Sequence, residues 1–547
     1  MDIPRWTPSQ TVSRQEQYLL SRLKRTRKLF AFLRLHRDEL FDDSFQAELS
    51  TMYRPSGAGK APCPPALLAM VCLLQGYLGV SDAEAVELTV VDKRWQMVLD
   101  RLGHDEPAFA QGTLYDFRCR LIRTQMDRRL LERTVELARR TGGFDPSKLS
   151  KGLRLAVDSA PFEGAGRVED TINLLWHAAG KLVTALVPLL GRDREQLCQE
   201  AGIPLLLASS AKRGLDVDWS DAEAKQQALE HLLDELESLV AWLSVCADEA
   251  LTAKEVAEPL AVLGQVVSQD LEVAERGEGL QIRKGVAPDR RISVEDGEMR
   301  HGRKSASRGI NGYKRHIATD LDTGLIVACA VTPANRPEQE ATPELEKDLK
   351  AQGLRVVELH VDLAYANSTM AKSTMEAGGQ VICRPRGNSR GEMFSKQDFA
   401  VDLQTMTITC PAGQRQPIEL GKTVKFDGPV CGSCPMRERC TEAKSGQGRT
   451  VSIPADEEMQ QERRRQVQTP QGRSRLRERV EVEHRLAHVV ARQGDQAKYR
   501  GVRKNLYDLR RTAAIGNLER MQRTTRREVP IRPRREVESA GLSLAAA

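Results

Sequence analysis

The chain contains 547 residues, of which 40% are hydrophobic and 29% charged, and its formal net charge is +6. This length exceeds what one ordinary hydrophobic core organises, and the composition excludes a disordered or fibrous chain. No run reaches the ~18 apolar residues of a membrane-spanning helix, and the N-terminus lacks the basic-then-apolar pattern of a signal peptide. We therefore expect a cytoplasmic protein of several domains, with no membrane partner.

Charge is distributed unevenly along the chain. From Leu215 to Glu278 there are 16 acidic residues against 3 basic ones, and from Gly501 to Arg535 there are 11 basic against 3 acidic. This asymmetry predicts a polyanionic partner at the C-terminal end. Either stretch taken alone is explained equally well as a solvated charged surface.

The N-terminal residues 1–140 predict a helical domain. Pro64 and Pro65 are suited to opening a helix, and the nearly all-apolar run ALLAMVCLLQGYLGV follows them. The domain would serve either DNA binding or dimerisation and scaffolding.

Two separated stretches, 150–176 and 299–383, predict an α/β core. In the first stretch, residues 152–158 form a short buried strand that ends at Asp158. The second begins with a basic loop from Arg300, and the strands YKRHIATD and LIVACAVT follow, joined by a hairpin turn at 322–324. A helix over 338–352 then leads into the strand LRVVELHVD, which ends at Asp362. The region 177–298 between the two stretches predicts a long, acidic, helical insertion.

Asp158 and Asp362 thus each stand at the carboxyl end of a predicted buried strand, where ligands collect in sheets covered by helices. Mg²⁺ prefers oxygen ligands, and carboxylates converging from separate elements make the two-metal sites of phosphodiester chemistry. The alternative for each aspartate is that it only caps the turn after its strand.

A second insertion, 384–475, contains four clustered cysteines. Cys410, Cys431, Cys434 and Cys440 follow the spacing C-x20-C-x2-C-x5-C. Thiolates at this spacing favour a closed structural Zn²⁺ site. The alternative is four free structural cysteines, since a disulfide is disfavoured in a reducing cytosol.

Residues 476–525 predict basic C-terminal helices, and residues 526–547 predict a disordered tail. An aromatic residue lies within a basic patch in this region, which fits phosphate contacts together with stacking of the ring on a base. A surface helix with ordinary salt bridges is the alternative. The patch comprises Lys498, Tyr499, Arg500, Arg503 and Lys504.

Five segments in one order carry a family resemblance. They are the N-terminal helical domain, AVDSAPFEGAGRVEDTINLLWHA, RHGRKSASRGINGYKRHIATD, HVDLAYAN, and RERVEVEHRLAHVVARQGDQAKYRGVRKNLYDLRRTAAIGNLERM. Together they resemble bacterial insertion-sequence transposases of the Asp-Asp-Glu (DDE) class, over roughly residues 20–525. The resemblance implies an RNase H-like core, double-stranded DNA (element ends and target) as partner, and a homodimer or larger synaptic complex.

The resemblance also implies the catalytic residues. Asp158 and Asp362 match the two aspartates, and the glutamate lies on a C-terminal helix in an R-x-x-V-E pattern. That pattern occurs twice, ending at Glu481 and at Glu483, and the text after Glu483 is the more similar to the family. Residues two apart differ by about 200° around a helix, so only one of the two glutamates faces the metals. The triad would hold Mg²⁺ or Mn²⁺ in a two-metal site, with Asp170 as the reserve candidate.

Further basic residues are expected near the site. Arg479, Glu483 and Arg492 are predicted to line one side of the helix, with the two arginines as DNA contacts. The resemblance places the strand with Lys314 and Arg315 beside the active site and DNA. GAGRVEDT lacks the Lys-Ser/Thr of a P-loop, so we expect no nucleotide cofactor.

The expected function is therefore a nucleoid-associated transposase that binds terminal inverted repeats, cleaves the DNA strands and joins 3′-hydroxyls to a target. Two alternatives stay open, namely a catalytically silent DNA-binding protein derived from a transposase, and an RNase H-like nuclease without strand joining. A serine or tyrosine recombinase is disfavoured because no nucleophile stands in a suitable basic cluster.

Overall fold

The computed structural model describes residues 3–23, 28–54, 61–141, 152–246, 248–274, 279–305, 307–387 and 391–524. The predicted tail 526–547 lies outside the described residues. Helices and strands both contribute to the core, so the predicted α/β class is confirmed at the level of a mixed α/β architecture with a curled sheet.

The N-terminal part is helical, as its apolar pattern predicts. Pro65 opens α4 at a position that needs no backbone N–H, and Gly79 ends it with a left-handed φ of 77°. Every residue from Ala66 to Leu74 is buried, because α4 is surrounded by its neighbours on all sides. The helices are α1 (Arg14–Arg22), α2 (Lys28–Leu40), α3 (Asp43–Ser50), α4 (Pro65–Leu78), α5 (Asp82–Val91), α6 (Lys93–Leu99), α7 (Gln111–Thr124) and α8 (Met126–Arg140).

One curled sheet forms the centre of the molecule. Its strands are β1 (Leu153–Glu163), β4 (Arg300–Ser305), β5 (Arg308–Asp320), β6 (Ile326–Pro333), β7 (Val356–His360) and β8 (Gln380–Ile382). Strand β1 pairs antiparallel with β5 on one side and parallel with β7 on the other. Beyond them, β6 pairs antiparallel with β5, and β8 pairs parallel with β7.

Two boundaries in this sheet differ from the prediction. Strand β1 does not end at Asp158 but continues to Glu163, because the long β5 offers it an antiparallel partner as far as Gly312. The basic segment from Arg300, predicted as a loop, is strand β4 in a hairpin with β5. Strand β4 lies at the edge of the sheet, where exposed charges prevent pairing with further strands. Its sequence is therefore rich in charged residues and looks like that of a loop.

The segment between β1 and β4 is mostly helical. Its helices are α9 (Thr171–Leu190), α10 (Arg194–Glu200), α11 (Ala211–Leu215), α12 (Ala222–Cys246), α13 (Asp248–Leu251) and α14 (Lys254–Asp270), followed by the short strands β2 (Leu271–Val273) and β3 (Leu280–Ile282). By length and composition α9 is apolar enough to cross a membrane. It is, however, the central helix of this unit, and Leu174, Leu175 and Leu182 are fully buried within the same core as Leu229 and Leu232 of α12.

After β6, a short 3-10 helix (Glu338–Ala341) leads into α15 (Thr342–Ala351), and α16 (Thr369–Glu376) lies between β7 and β8. The cysteine-containing segment has its own small core. Its elements are β9 (Ala400–Asp402), β10 (Thr407–Thr409), β11 (Arg415–Pro417), β12 (Thr423–Lys425), α17 (Gly428–Gly432), α18 (Arg437–Cys440) and β13 (Thr450–Ser452).

Four helices complete the part of the chain that the structure describes. They are α19 (Glu457–Gln468), α20 (Pro470–Glu478), α21 (Val480–Gln493) and α22 (Val502–Thr524). Helix α21 packs on β1 and β5 through its buried Val482, Leu486 and Val489. Helix α22 contacts α4 and α8 on one side and β6 on the other, and so joins the N-terminal helices to the sheet.

Candidate active site

Asp158 and Asp362 meet at one notch in the sheet. Strand β1 pairs with β7 only from Leu153 to Ala156, so at Asp158 it has lost this neighbour while it still pairs with β5. Asp362 follows β7 by two residues, at the same edge. One Asp362 oxygen accepts a hydrogen bond from the Ala364 N–H at 3.0 Å, so this aspartate also caps its turn.

The third acid comes from α21. Arg479, the residue before this helix, places its guanidinium 2.9 Å from Asp158 Oδ1 and 3.3 Å from Glu483 Oε1. Burial raises the pKa of Asp158, and the Asp362 and Glu483 carboxylates raise it further, against the opposing effect of Arg479. The structure therefore brings Asp158, Asp362 and Glu483 into one electrostatic cluster.

Glu481 lies on another face of α21. Its carboxylate is bound by Arg485 at 2.8 Å and points toward the β5–β6 turn, where a side chain at Gly324 would collide with it. This separation is what a two-residue offset on a helix requires.

A fourth acid at the notch was missed by the sequence interpretation. Glu338 begins the 3-10 helix after β6 and is half-buried. Burial raises its pKa, and the Asp362 and Asp158 carboxylates act in the same direction, whereas Lys314 lowers it. In the sequence Glu338 looks like an ordinary acidic residue in a first helical turn, so no local signal distinguishes it.

A buried polar network supports the notch from behind. His316 Nδ1 lies 2.6 Å from the Tyr365 hydroxyl, and its Nε2 lies 2.9 Å from Thr332 Oγ1. Burial, together with Lys314, lowers the pKa of His316 to about 3, so the ring is neutral. Against the effect of burial, hydrogen bonding by the Ser159 hydroxyl lowers the pKa of both Tyr365 and Glu338, which links this network to the acids.

The acid cluster fits a divalent metal by its chemistry. All four groups are carboxylates, and oxygen donors are what Mg²⁺ and Mn²⁺ prefer. Burial and their mutual repulsion raise the pKa values of Asp158 and Glu338, and a bound cation would relieve the repulsion.

A second group of potential metal ligands lies outside the acid cluster. Within the described ranges, it is the one group of three whose donor atoms all lie within 4.8 Å of one another. It comprises Glu358, His360 and Glu478. Arg154 and Arg475 already bind these carboxylates. Burial raises the pKa of Glu358, but hydrogen bonds from His360, Arg475 and Arg154 lower it overall to about 2. This second group is therefore an ion-pair network, and we name it the Glu358 network.

Some of the basic residues predicted to bind DNA are exposed to solvent, whereas others already make contacts within the protein. Lys498, Arg500 and Lys504 are exposed, although Arg500 pairs with Glu295. Lys314 is half-buried and donates to the Arg336 carbonyl at 2.9 Å.

Three of the predicted DNA contacts make contacts within the protein, and one of them is buried. Arg315 is fully buried, with its guanidinium on Gln493 Oε1 at 3.0 Å and on the Gly494 carbonyl at 2.8 Å, so it is not available to a phosphate. Arg503 pairs with the buried Asp127 of α8, and the Tyr499 ring packs edge-on against Tyr507.

Two further expectations are corrected by the geometry. Arg492 does not share a side with Glu483, because nine residues place it about 180° away. It pairs instead with Glu519 of α22 at 2.8 Å. Asp170 caps α9 by accepting from the Asn173 N–H at 2.9 Å, which is a structural role.

The four clustered cysteines converge on one cavity of about 270 Å³. Burial raises the pKa of Cys431, and its neighbours Cys410 and Cys434 act in the same direction, so these thiols are close enough to interact. A convergent set of sulfur donors fits a structural Zn²⁺.

Two family models match the chain. A model described as a transposase DDE domain matches residues 405–522, and a transposase domain model (DUF772) matches residues 22–120. The first match contains the four clustered cysteines and Glu483 but neither Asp158 nor Asp362. No curated protein and no solved structure matches.

The class of protein follows from these findings. Two transposase family models match separate parts of the chain, and together they support a transposase. More particularly, the matches confirm the resemblance to an insertion-sequence transposase of the DDE type.

Proposed function

We propose that the protein binds the terminal inverted repeats of an insertion sequence and catalyses metal-dependent strand cleavage and strand transfer. The observation that carries this proposal is the convergence of Asp158, Asp362 and Glu483 from three separate elements. In this proposal the sheet is the core of an RNase H-like fold. Three placements support that assignment. The first aspartate lies on the central strand β1, the second follows the parallel neighbour β7, and the glutamate lies on a helix packed against β1.

Asp158, Asp362 and Glu483 would hold Mg²⁺ or Mn²⁺. Divalent metal in such a site activates the attacking water or 3′-hydroxyl and stabilises the leaving oxygen. Arg479 holds Asp158 and Glu483 together through its two ion pairs. The His316–Tyr365 pair holds the floor of the notch rigid, since both side chains are buried.

For the DNA itself, the exposed Lys498, Arg500 and Lys504 are the proposed phosphate contacts of the C-terminal patch. The four clustered cysteines are proposed to bind a structural Zn²⁺. The working assembly is proposed to be a homodimer or larger synaptic complex in the cytoplasm, associated with the nucleoid.

The test is cleavage of labelled DNA carrying the element's ends, with Mg²⁺ or Mn²⁺. We expect the natural protein to nick and join this DNA, whereas Asp158→Asn, Asp362→Asn and Glu483→Gln bind it without cutting. Glu481→Gln is the matched control on the same helix, and it should cut normally.

The products separate the alternatives. Hydrolysed ends without joined molecules would favour a nuclease that lacks strand transfer. Binding by the natural protein without any metal-dependent nicking would favour a silent DNA-binding protein. Normal cutting by all three acid variants would show that the assigned acids are incorrect.

A further inference from the structure

A second polar cavity lies on the side of α21 that faces away from Glu483. Its volume is about 350 Å³, and it is open on one side and lined mainly by α21, α22 and the end of α4. Four arginines line it, two from α21 and two from α22, and we name it the arginine pocket. They are Arg485, Arg492, Arg520 and Arg523.

The arginine pocket has more positive than negative charge. Glu481 binds Arg485, and Glu519 binds Arg492, both at 2.8 Å. In the part of the chain that the structure covers, no carboxylate lies within 4.0 Å of the Arg520 or Arg523 guanidinium. Burial lowers the pKa of Arg520, and the Arg485 and Arg523 charges lower it further against the effect of Glu481. The cations therefore repel one another across the cavity.

Donor groups in the pocket also remain unused. Arg492 Nη1 is buried and has no hydrogen-bond partner among the described residues. The Arg492 guanidinium stands over the Tyr77 ring at 5.4 Å, which fixes its plane. Arg520 uses its Nε on the Thr323 carbonyl at 3.2 Å, which fixes the base of the side chain. The excess of positive charge in the cavity, with two of its four guanidinium groups lacking a carboxylate partner in the described part of the chain, is what an anion would neutralise.

Guanidinium groups match the oxygens of a phosphate, and a cavity of this size holds one phosphate group with its neighbouring sugar. We propose that the arginine pocket binds a backbone phosphate of double-stranded DNA, outside the candidate active site. The inference rests on the proposed function in one respect, namely that DNA supplies the phosphate. Because α21 carries Glu483 on one face and pocket residues on the other, DNA held there would be anchored to the same helix that completes the acid cluster.

The test is the salt dependence of DNA affinity, measured by fluorescence anisotropy of a labelled duplex. Each lost phosphate contact lowers the slope of log K against log salt concentration by about 1. We expect Arg523→Gln to lower the slope by about 1 and the double variant Arg520→Gln/Arg523→Gln by about 2, for any duplex sequence. Arg465→Gln is the control, because this arginine is 69% exposed on α19, away from the pocket.

An unchanged slope and affinity in both pocket variants would overturn the proposal, and continued cleavage by the natural protein would then leave the proposed function intact. A natural protein that binds no DNA would overturn both. Arg523 is exposed, so Arg523→Gln reports on binding even if the double variant folds poorly. Titration with inorganic phosphate distinguishes the two possible sources of the bound phosphate, namely the DNA backbone and free phosphate. Saturation of the pocket by free phosphate with no change in DNA affinity would refute the DNA assignment.

Discussion

Replacing Glu358 by glutamine tests the ion-pair network that connects all three acid-bearing segments. Glu358 stands on β7, four residues before Asp362, and its carboxylate accepts from Arg475 of α20 at 2.6 Å and from Arg154 of β1 at 3.2 Å. Arg154 precedes Asp158 on β1, and Arg475 lies on α20, the helix directly before the one that carries Glu483. The Glu358 network therefore fixes the register of β1, β7 and the α20–α21 pair.

The size of the effect follows from the pKa. A pKa lowered from 4.5 to about 2 corresponds to about 3 kcal/mol of stability at neutral pH. The arginines are about a third exposed, so solvent screening reduces the loss to about 2 kcal/mol. Because the folded pKa is the lower one, this stability is present above pH 4.5 and is lost as the pH falls toward 2.

The assay is urea unfolding of the natural protein and of Glu358→Gln from pH 8 to pH 3, followed by the cleavage assay at pH 7. We expect a stability difference that is constant down to about pH 5 and then shrinks, together with reduced cleavage at unchanged DNA affinity. Glu419→Gln is the control, since its pair with Lys422 is 70% exposed and should contribute nothing measurable. Equal stability at pH 7, or a difference that does not shrink below pH 4, would refute the reasoning.

The other predictions concern the site, the cysteines and the buried ion pairs. Arg479→Gln removes the cation that lowers the pKa of Asp158, so the acidic limb of the pH–rate profile for cleavage should move to higher pH. Glu338→Gln removes a negative neighbour of Asp158 and should move the same limb to lower pH. For either variant, an unmoved limb or a shift in the opposite direction would contradict the assignment of that residue. Cys431→Ser should abolish one bound zinc per chain, measured by metal analysis after purification without added metal. Asp127→Asn removes a buried carboxylate that pairs with both Arg503 and Arg510, although Asp348 still pairs with Arg510, and it should destabilise the protein by about 3 kcal/mol in thermal or urea unfolding, whereas a change below 1 kcal/mol would contradict this.

The strands around the acids were predictable because their apolar runs are bounded by turn residues. The hairpin at 322–324 is confirmed, with Gly324 at a left-handed φ of 71°. The end of β1 was not predictable, since it depends on β5, a partner about 150 residues away in sequence. Pairing that distant leaves no local pattern, and residues 159–163 do not alternate as a half-buried strand would.

Side chains whose role depends on tertiary neighbours were equally hidden. Arg315 looks like a DNA contact because it follows Lys314 in a basic strand, yet it is an interior hydrogen-bond donor to Gln493, a partner far along the chain. Glu338 joins the acids only because β6 turns back beside β5. The convergence of the cysteines, by contrast, was predictable from spacing alone, because short loops between ligands restrict where each thiol can lie.

In helix α21, the spacing of the apolar residues decides which polar side chain faces the acid cluster and which faces the arginine pocket. Its buried residues Val482, Leu486 and Val489 bind one side to the sheet. This orientation directs Glu483 to the acid cluster and turns Glu481, together with Arg485, toward the arginine pocket. A two-residue shift in the apolar pattern would exchange the two glutamates, so the apolar positions of α21, and not the glutamates themselves, select the acid that reaches the metal site.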